Sequence, residues 1–329
     1  MIHADARRTA LERWLISQFR SEIGDSRFTL TAASEDASFR RYWRVSLADG
    51  RSTIAMDAPP DKEDCRPFVR VSRLLREAGL NAPQVLAQDL AQGFLLLSDL
   101  GTRTYLQELS AGNAGALFGD ATDALVRWQL ATRAGELPPY DEALLRREMN
   151  LFPEWYVSRH LKKELTQAQK DSLEGIFRLL VQSALAQPAV YVHRDYMPRN
   201  LMVCDPNPGV LDFQDAVLGP ITYDVVSLFR DAFVSWEDEQ VLDWSVRYWE
   251  RAKRAGLPLE QDFGEFWRAF EWMGLQRHLK VLGIFARINY RDGKPRYLED
   301  TPRFIAYARS VSKRYAALAP LLRLLDALQ

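Results

Sequence analysis

The residues most suited to chemistry form one short motif, His193-Arg194-Asp195 followed by Asn200, with a second aspartate, Asp212, after a later apolar run. A loop aspartate can accept a proton from an attacking hydroxyl, and amide and carboxylate oxygens suit a hard cation such as Mg²⁺. This spacing is typical of the catalytic loop and metal-binding strand of enzymes that transfer phosphoryl groups. We therefore predict Asp195 as the base and Asn200 and Asp212 as metal ligands. His193 and Arg194 are predicted to brace the loop.

The composition is that of an ordinary globular protein and excludes several function classes. The chain has 329 residues, 47% of them hydrophobic and 26% charged, and a formal net charge of -1, which gives no general attraction to nucleic acid or anionic membranes. Apolar runs such as Phe94 to Leu97 are far shorter than the roughly 20 residues of a membrane span. Cys65 and Cys204 lack metal-ligand or disulfide-framework spacing. We predict a cytoplasmic protein with no obligate protein partner, nucleic acid or membrane.

The amino-terminal part of the chain has the pattern of a small antiparallel sheet. β-branched and aromatic residues mark successive strands, Asp49-Gly50 is a hairpin turn, and apolar residues from Phe68 to Ala78 form one helical stripe with Gly79 placed to end it. The predicted order is β, β, β, α, β, β, with strands at Phe28 to Thr31, Tyr42 to Leu47, Ser52 to Asp57, Gln84 to Gln88 and Phe94 to Leu97. An amphipathic helix with Leu11, Trp14, Leu15 and Phe19 precedes them.

Beyond Asp99 most of the chain has helical periodicity, interrupted by short strand-like runs between Val190 and Asp212. We therefore predict an α+β fold with two lobes. Residues 1–98 would be a nucleotide-binding lobe, a five-stranded antiparallel sheet with one main helix. Residues 99–329 would be a larger, mainly helical lobe that carries the catalytic loop, the metal ligands and the acceptor site.

The motif also resembles a known family. Together with Leu211 to Ala216 and Tyr223-Asp224, it is similar to the aminoglycoside phosphotransferase and choline kinase branch of the protein-kinase-like fold, over nearly the whole chain. More narrowly, four segments resemble the bacterial anomeric kinases of N-acetylmuramate and N-acetylglucosamine: 30–34, 36–42, 56–60 and 148–155. The resemblance implies ATP and Mg²⁺ as cofactors, formation of a sugar 1-phosphate, and a place in peptidoglycan recycling. It also implies that Asp224 accepts hydrogen bonds from the catalytic loop.

One feature departs from typical kinases. Met56 stands on the third strand where a lysine would hold the ATP phosphates, and the following helix lacks the glutamate that would pair with it. Loss of both charges is physically consistent, because loss of only one would leave the other unpaired in a partly buried cleft, which is costly. The phosphates would then be held by Ser34 and Ser38 of the loop 34–38 with Arg40 or Arg41, although the same pattern suits a solvated hairpin.

The residues that bind the adenine of ATP and the acceptor are less sharply defined by the sequence. Backbone groups of the crossing between the lobes, Ser98, Asp99 and Leu100, are predicted to contact the adenine. Between Gly274 and Arg309, eight basic residues face three acidic ones, which disfavours a polycationic acceptor and suits a carboxylate-bearing sugar. The candidate substrate ligands are Glu148, Asn150, Arg199, Arg277 and Arg287.

Two alternatives remain open from the residues themselves. The acceptor could instead be choline, fructosamine, homoserine or an aminoglycoside. The missing lysine and glutamate also fit a nucleotide-binding pseudokinase, although such a domain has no reason to keep Asp195, Asn200 and Asp212 in register.

Overall fold

Residue contacts in the computed structural model divide the chain into two units. The first comprises Met1–Thr104 and Leu201–Asp215, and the second comprises Tyr105–Asn200 and Ala216–Gln329. The structure describes residues 2–23, 27–34 and 39–328. The segment Leu201–Asp215, which contains Asp212, thus belongs to the first unit, although it follows the catalytic loop in sequence. The predicted functional division into 1–98 and 99–329 remains a prediction.

The first unit is built on an antiparallel sheet of five strands in the order β1-β2-β3-β5-β4. The strands are β1 (Phe28–Ser34), β2 (Arg41–Leu47), β3 (Ser52–Asp57), β4 (Val85–Asp89) and β5 (Phe94–Ser98), and the helices are α1 (Ile2–Ile23) and α2 (Arg66–Glu77). The short strands β7 (Leu201–Met202) and β8 (Gly209–Val210) pair with each other. The predicted α+β, protein-kinase-like fold class is confirmed, with α1 as a second long helix beside the predicted main helix.

The core of this unit follows from alternation along its strands. Leu11, Trp14, Leu15 and Phe19 of α1 bury one face of the helix against Val45, Ala55, Phe94 and Leu96 of the sheet. Successive strand residues point to opposite faces, so Met56, Leu95 and Leu97, which are also buried, lie on the other side. Gly79 has φ +76° and donates its N–H to the Arg76 carbonyl, which ends α2 as the sequence predicts.

The second unit is mainly helical. Its helices are α3 (Tyr105–Glu108), α4 (Ala114–Leu130), α5 (Glu142–Met149), α6 (Gln167–Leu185), α7 (Tyr223–Phe229), α8 (Asp238–Arg254), α9 (Phe263–Asp292), α10 (Thr301–Arg314) and α11 (Ala319–Ala327), with a π-helix at Phe152–His160. Strands β6 (Ala189–Val192) and β9 (Val217–Pro220) pair antiparallel on either side of the catalytic loop. No helix within the described ranges has both the length and the hydropathy that a membrane span requires.

Helix α9 organises this unit because it passes along the π-helix, α10 and α6. Asp262 caps its first turn by accepting the Glu265 N–H at 3.0 Å, and Gly293, at φ +70°, ends it. Near its middle, Gly283 lies against the backbone of Leu151, where a Cβ would overlap the Leu151 carbonyl group. This glycine lets α9 approach the chain immediately after α5.

Replacement of Gly283 by alanine should therefore destabilise the protein, whereas the same replacement at Gly175, another helical glycine, should stabilise it. Gly283→Ala forces α9 away from Leu151, and we expect it to lower the free energy of unfolding by about 1 to 3 kcal/mol or more. Gly175→Ala, in α6 with open space around its missing Cβ, should raise that free energy by up to about 1 kcal/mol. Urea unfolding of both variants measures the two changes, and equal effects would contradict the close approach at Gly283.

Candidate active site

The catalytic loop leaves the buried strand β6 and folds back on itself within a few residues. The Asp195 N–H donates to Nδ1 of the buried His193 at 3.2 Å, and the Asn200 side-chain amide donates to the Asp195 carbonyl oxygen at 2.9 Å. A 3₁₀ turn, Pro198–Asn200, completes the loop. These bonds hold the backbone of the predicted base from both directions and orient the Asn200 amide nitrogen inward.

Arg194 has a backbone conformation that is unusual for a residue with a side chain. Its φ is +77°, in the left-handed region, which costs on the order of 1–3 kcal/mol. The N–H groups of His193 and Arg194 both donate to the Asp224 carboxylate, at 2.6 and 3.0 Å. Asp224 is fully buried in the first turn of α7. Its two charge-assisted hydrogen bonds offset the strain and support the predicted bracing role of this residue.

The environment of Asp224 also perturbs its ionisation. Burial raises the pKa of Asp224 to about 7, although its two backbone donors and the nearby Arg277 favour the ionised form. Arg277 itself is only 2% exposed, and its charge acts on Asp224 and Asp231. This placement favours a supporting role for Arg277 over the predicted contact with substrate.

Glu148 lies on the same side of the loop as the Arg194 side chain. Its carboxylate accepts from Arg194 Nη2 at 2.5 Å and from Lys280 Nζ at 3.1 Å, and it bonds the Tyr140 hydroxyl. Burial disfavours the charged carboxylate, but Lys280 and Arg194 more than offset this and hold the pKa of Glu148 below its usual value. Both oxygens of Glu148 have protein partners and the residue is only 6% exposed. This favours a structural role for Glu148 over the predicted contact with the sugar.

The other predicted acceptor ligands lie in less enclosed places. Asn150 is exposed at the end of α5, and the Arg199 guanidinium lies 5.2 Å from the Phe233 ring centroid. Arg287 is half-buried, and burial together with Arg291 lowers its pKa. The roles of these three residues remain predictions.

Asp212 lies in the first unit together with a predicted phosphate ligand. Its φ is +60°, and one of its oxygens accepts from Gln214 Nε2 at 3.0 Å. Arg40 is partly buried 3.7 Å from Glu63, and burial disfavours its charge. Tyr42, Glu63, Asp212 and Asp215 nevertheless raise the pKa of Arg40 overall, because these groups lie near its charge. Of the predicted serines, Ser38 lies outside the described residues, and Ser34 is described only as the last backbone position of β1.

The crossing segment is held by side-chain and backbone hydrogen bonds, and the Ser98 N–H donates to the Gln84 carbonyl at 2.9 Å. The Asp99 carboxylate accepts from Arg44 Nε at 2.6 Å, from the Ser52 hydroxyl at 2.8 Å and from the Gly101 N–H at 2.9 Å. Burial disfavours the Asp99 carboxylate, but these donors hold its pKa below the usual value. The Ser98 hydroxyl accepts the Gln84 N–H, and Leu100 packs near Gly209. The contact of adenine with backbone groups of Ser98, Asp99 and Leu100 remains a prediction.

Asp57, the residue after Met56, forms a cluster of ion pairs that was not predicted from the sequence. Asp57, 1% exposed, accepts from Arg7 of α1 at 2.8 Å and from Arg41 of β2 at 2.5 Å. Arg41, proposed from the sequence as an alternative phosphate ligand, is therefore engaged with Asp57. The hairpin register pairs Arg41 with Asp57 and could have indicated this contact. The docking of Arg7 had no local signal because α1 is distant in sequence.

The basic stretch between Gly274 and Arg309 does not form one cationic surface. Arg277 and Lys280 are buried, Arg291 pairs with Asp292, and Arg309 pairs with Asp326. Part of its charge is thus buried or paired, and its composition alone carries little information about the acceptor.

The α+β fold and the braced His-Arg-Asp loop together define a protein-kinase-like phosphotransferase. Residues 29–259 match the phosphotransferase enzyme family. The chain belongs to this family.

Two relatives are similar over most of their length. A Pseudomonas putida protein named N-acetylmuramate/N-acetylglucosamine kinase is 55% identical over 99% of this chain and 97% of its own. A Pseudomonas aeruginosa protein of the same name is 58% identical over 91% of this chain and 88% of its own. Such identity over nearly whole chains places this protein among close relatives within the family.

Solved structures share the fold at much lower identity. An ADP-bound aminoglycoside phosphotransferase, APH(2'')-Ib, has a TM-score of 0.58 and 15% identity over 89% of this chain and 96% of its own. An amicoumacin kinase in complex with AMP-PNP, Ca²⁺ and Ami has a TM-score of 0.60 and 14% identity, covering 88% and 89%. At this identity the likeness establishes the fold alone.

Asp224 generates a prediction about pH. Because its folded pKa, about 7, lies above the ordinary 3.8, the stability that its proton contributes is fully present below pH 3.8 and is lost as the pH rises through about 7. Asp224→Asn should therefore show a flatter dependence of the unfolding free energy on pH across this window than the wild type. The same variant replaces one of the two carboxylate oxygens that accept the His193 and Arg194 N–H groups with an NH2 donor, so its kcat should fall.

Urea unfolding at successive pH values measures the first effect. Asp61→Asn, at a largely exposed aspartate, serves as the control for a changed net charge. Identical pH profiles for Asp224→Asn and the wild type would show that Asp224 does not titrate in this window.

Proposed function

We propose that this protein transfers the γ-phosphoryl group of ATP to the anomeric hydroxyl of N-acetylmuramate, N-acetylglucosamine or both. The observation that carries the proposal is the identity of 55% over 99% of the chain to a relative named for those two sugars. The braced loop His193–Asn200 supports it, because it presents an aspartate in the setting that phosphoryl transfer to an alcohol requires. The product, a sugar 1-phosphate, would serve peptidoglycan recycling in the cytoplasm, where ATP is available.

In the proposed reaction Asp195 orients the 1-hydroxyl and accepts its proton as the sugar oxygen attacks the γ-phosphorus. A new phosphorus–oxygen bond forms while the bond to the β,γ-bridging oxygen breaks, and ADP leaves. No covalent enzyme intermediate is needed. Asp224 and the Asn200 amide fix the loop backbone on both sides of Asp195, which supports a base held in place before substrate binds.

The donor set fits Mg²⁺. The Asn200 amide nitrogen donates to the Asp195 carbonyl, so its oxygen is the end of the side chain suited to a cation, and Asp212 adds a carboxylate. When bound, the ion would neutralise charge on the phosphate oxygens. Among the described residues no group of three or more His, Cys, Asp or Glu side chains could hold a metal ion. We therefore expect the two protein ligands to act together with phosphate and water oxygens.

Substitution of Asp195 tests the reaction and its acceptor together. Asp195→Ala should abolish turnover while leaving ATP binding nearly unchanged, since the residue acts on the acceptor hydroxyl. An ADP-coupled assay with N-acetylmuramate, N-acetylglucosamine, choline and kanamycin identifies the acceptor, and phosphorus NMR distinguishes a 1-phosphate from a 6-phosphate.

Turnover with choline or kanamycin alone would contradict the sugar assignment. Stabilisation by Mg-ATP without turnover on any acceptor would favour the pseudokinase. A near-normal rate in Asp195→Ala would overturn the role of Asp195.

Arg40 is our candidate to replace the missing lysine, because it lies in the same unit as Asp212 and the charge of Asp212 acts on it. Arg40→Met should raise KM for ATP by about 10-fold or more, as expected for loss of a hydrogen bond between charged groups, with little change in KM for the sugar. Arg51→Met, at an exposed arginine paired with Asp49, should leave both constants unchanged. An unaltered KM for ATP in Arg40→Met would exclude Arg40 from the phosphate site.

A further inference from the structure

A buried cluster joins the catalytic loop to three helices of the second unit. Glu148 of α5 accepts on Oε1 from both Arg194 Nη2, at 2.5 Å, and Lys280 Nζ, at 3.1 Å, while Tyr140 bonds its other oxygen. Lys280, on α9, donates to the Tyr223 hydroxyl at 2.9 Å. The Lys280 side chain is only 9% exposed and that of Glu148 is 7% exposed.

The charges of this cluster do not cancel internally. It contains two cations, Arg194 and Lys280, and one carboxylate, Glu148, in surroundings where an uncompensated charge is costly. Burial disfavours the Lys280 cation, yet Tyr223, Glu148 and Asp195 raise its pKa overall. Asp195 acts on Arg194 in the same direction. The predicted base, Asp195, thus lies close enough for its charge to act on both cations of the cluster.

Arg194 is held from two sides. Its backbone N–H and that of His193 donate to Asp224, which keeps Arg194 in the left-handed region, and its side chain is anchored by Glu148. Lys280 links the two anchors, because it contacts Glu148 directly and the hydroxyl of Tyr223, the residue before Asp224. Displacement of either anchor would release the strained residue that immediately precedes Asp195.

We propose that Glu148 and Lys280 are positioning residues for phosphoryl transfer. Glu148 holds the Arg194 side chain so that the loop presents Asp195 in one orientation, and Lys280 holds Glu148 in place and links it to Tyr223. This inference rests on the proposed function and deepens it. It gives Glu148 a role different from the sugar contact that its sequence position suggests, and it assigns a role to Lys280 in place of a general contribution to basic charge.

Three single variants and one double variant test the proposal. Glu148→Gln and Lys280→Met should each lower kcat by about 10- to 100-fold, as expected for a small misplacement of a reacting group, while KM for ATP changes less than about 2-fold. Lys280→Arg keeps the charge and should recover most of the lost kcat. In Glu148→Gln/Lys280→Met one cation and one anion are removed together, so the loss should be smaller than the product of the single losses. Glu142→Gln, an exposed carboxylate on the same helix, should match the wild type.

Hydrogen exchange of the loop amides gives a readout that does not depend on the acceptor. Glu148→Gln should increase exchange at residues 193–200 while exchange in the sheet of the first unit stays the same. The double variant, with its charge balance restored, serves the same measurement if a single variant folds poorly. Unchanged loop exchange in both Glu148→Gln and the double variant would overturn the positioning role, whichever acceptor the enzyme uses. Failure of the wild type to phosphorylate either sugar would overturn the proposed function, which is a separate result. An active wild type with unchanged kcat in Glu148→Gln, or equal losses in Lys280→Arg and Lys280→Met, would also overturn the positioning role.

Discussion

The arrangement of the catalytic loop depends on one buried carboxylate. Asp224 accepts two backbone N–H groups from consecutive residues, His193 and Arg194, while Arg194 adopts a left-handed conformation. In a dry environment such charge-assisted hydrogen bonds are strong, and their loss would leave two buried donors unsatisfied. This contact therefore fixes the backbone of the two residues that immediately precede Asp195.

The second unit surrounds this contact with further buried charge. Arg277 acts on Asp224, while Glu148 pairs with the Arg194 side chain and Lys280 pairs with Glu148. Three of these residues lie on only two helices, α5 and α9, and the close approach permitted by Gly283 brings those helices together. Buried ion pairs add little net stability, so their value here is better explained by the single loop geometry that they enforce.

The first unit handles charge in a different way from a kinase with a lysine on its third strand. Met56 is buried and apolar, and the neighbouring buried charge is Asp57, which two arginines neutralise. A second pair, Arg44 and Asp99, ties the sheet to the crossing segment. Arginine suits these places because its planar fork can donate to both oxygens of a carboxylate, as Arg44 does with Asp99.

The sequence by itself determined the elements and the reacting motif of this protein. Alternating strands, the Asp49-Gly50 turn and the stripe of α2 depend on neighbours within a few residues, so local patterns predict them, and the spacing of His193, Asp195 and Asn200 indicates the chemistry directly. Only the tertiary structure decided the partners of the charged side chains. Arg7 meets Asp57, and Glu148 meets Lys280, across long stretches of chain, because helix docking and not sequence spacing brings them together. A residue type states what a side chain can bind, whereas burial and distance determine what it does bind.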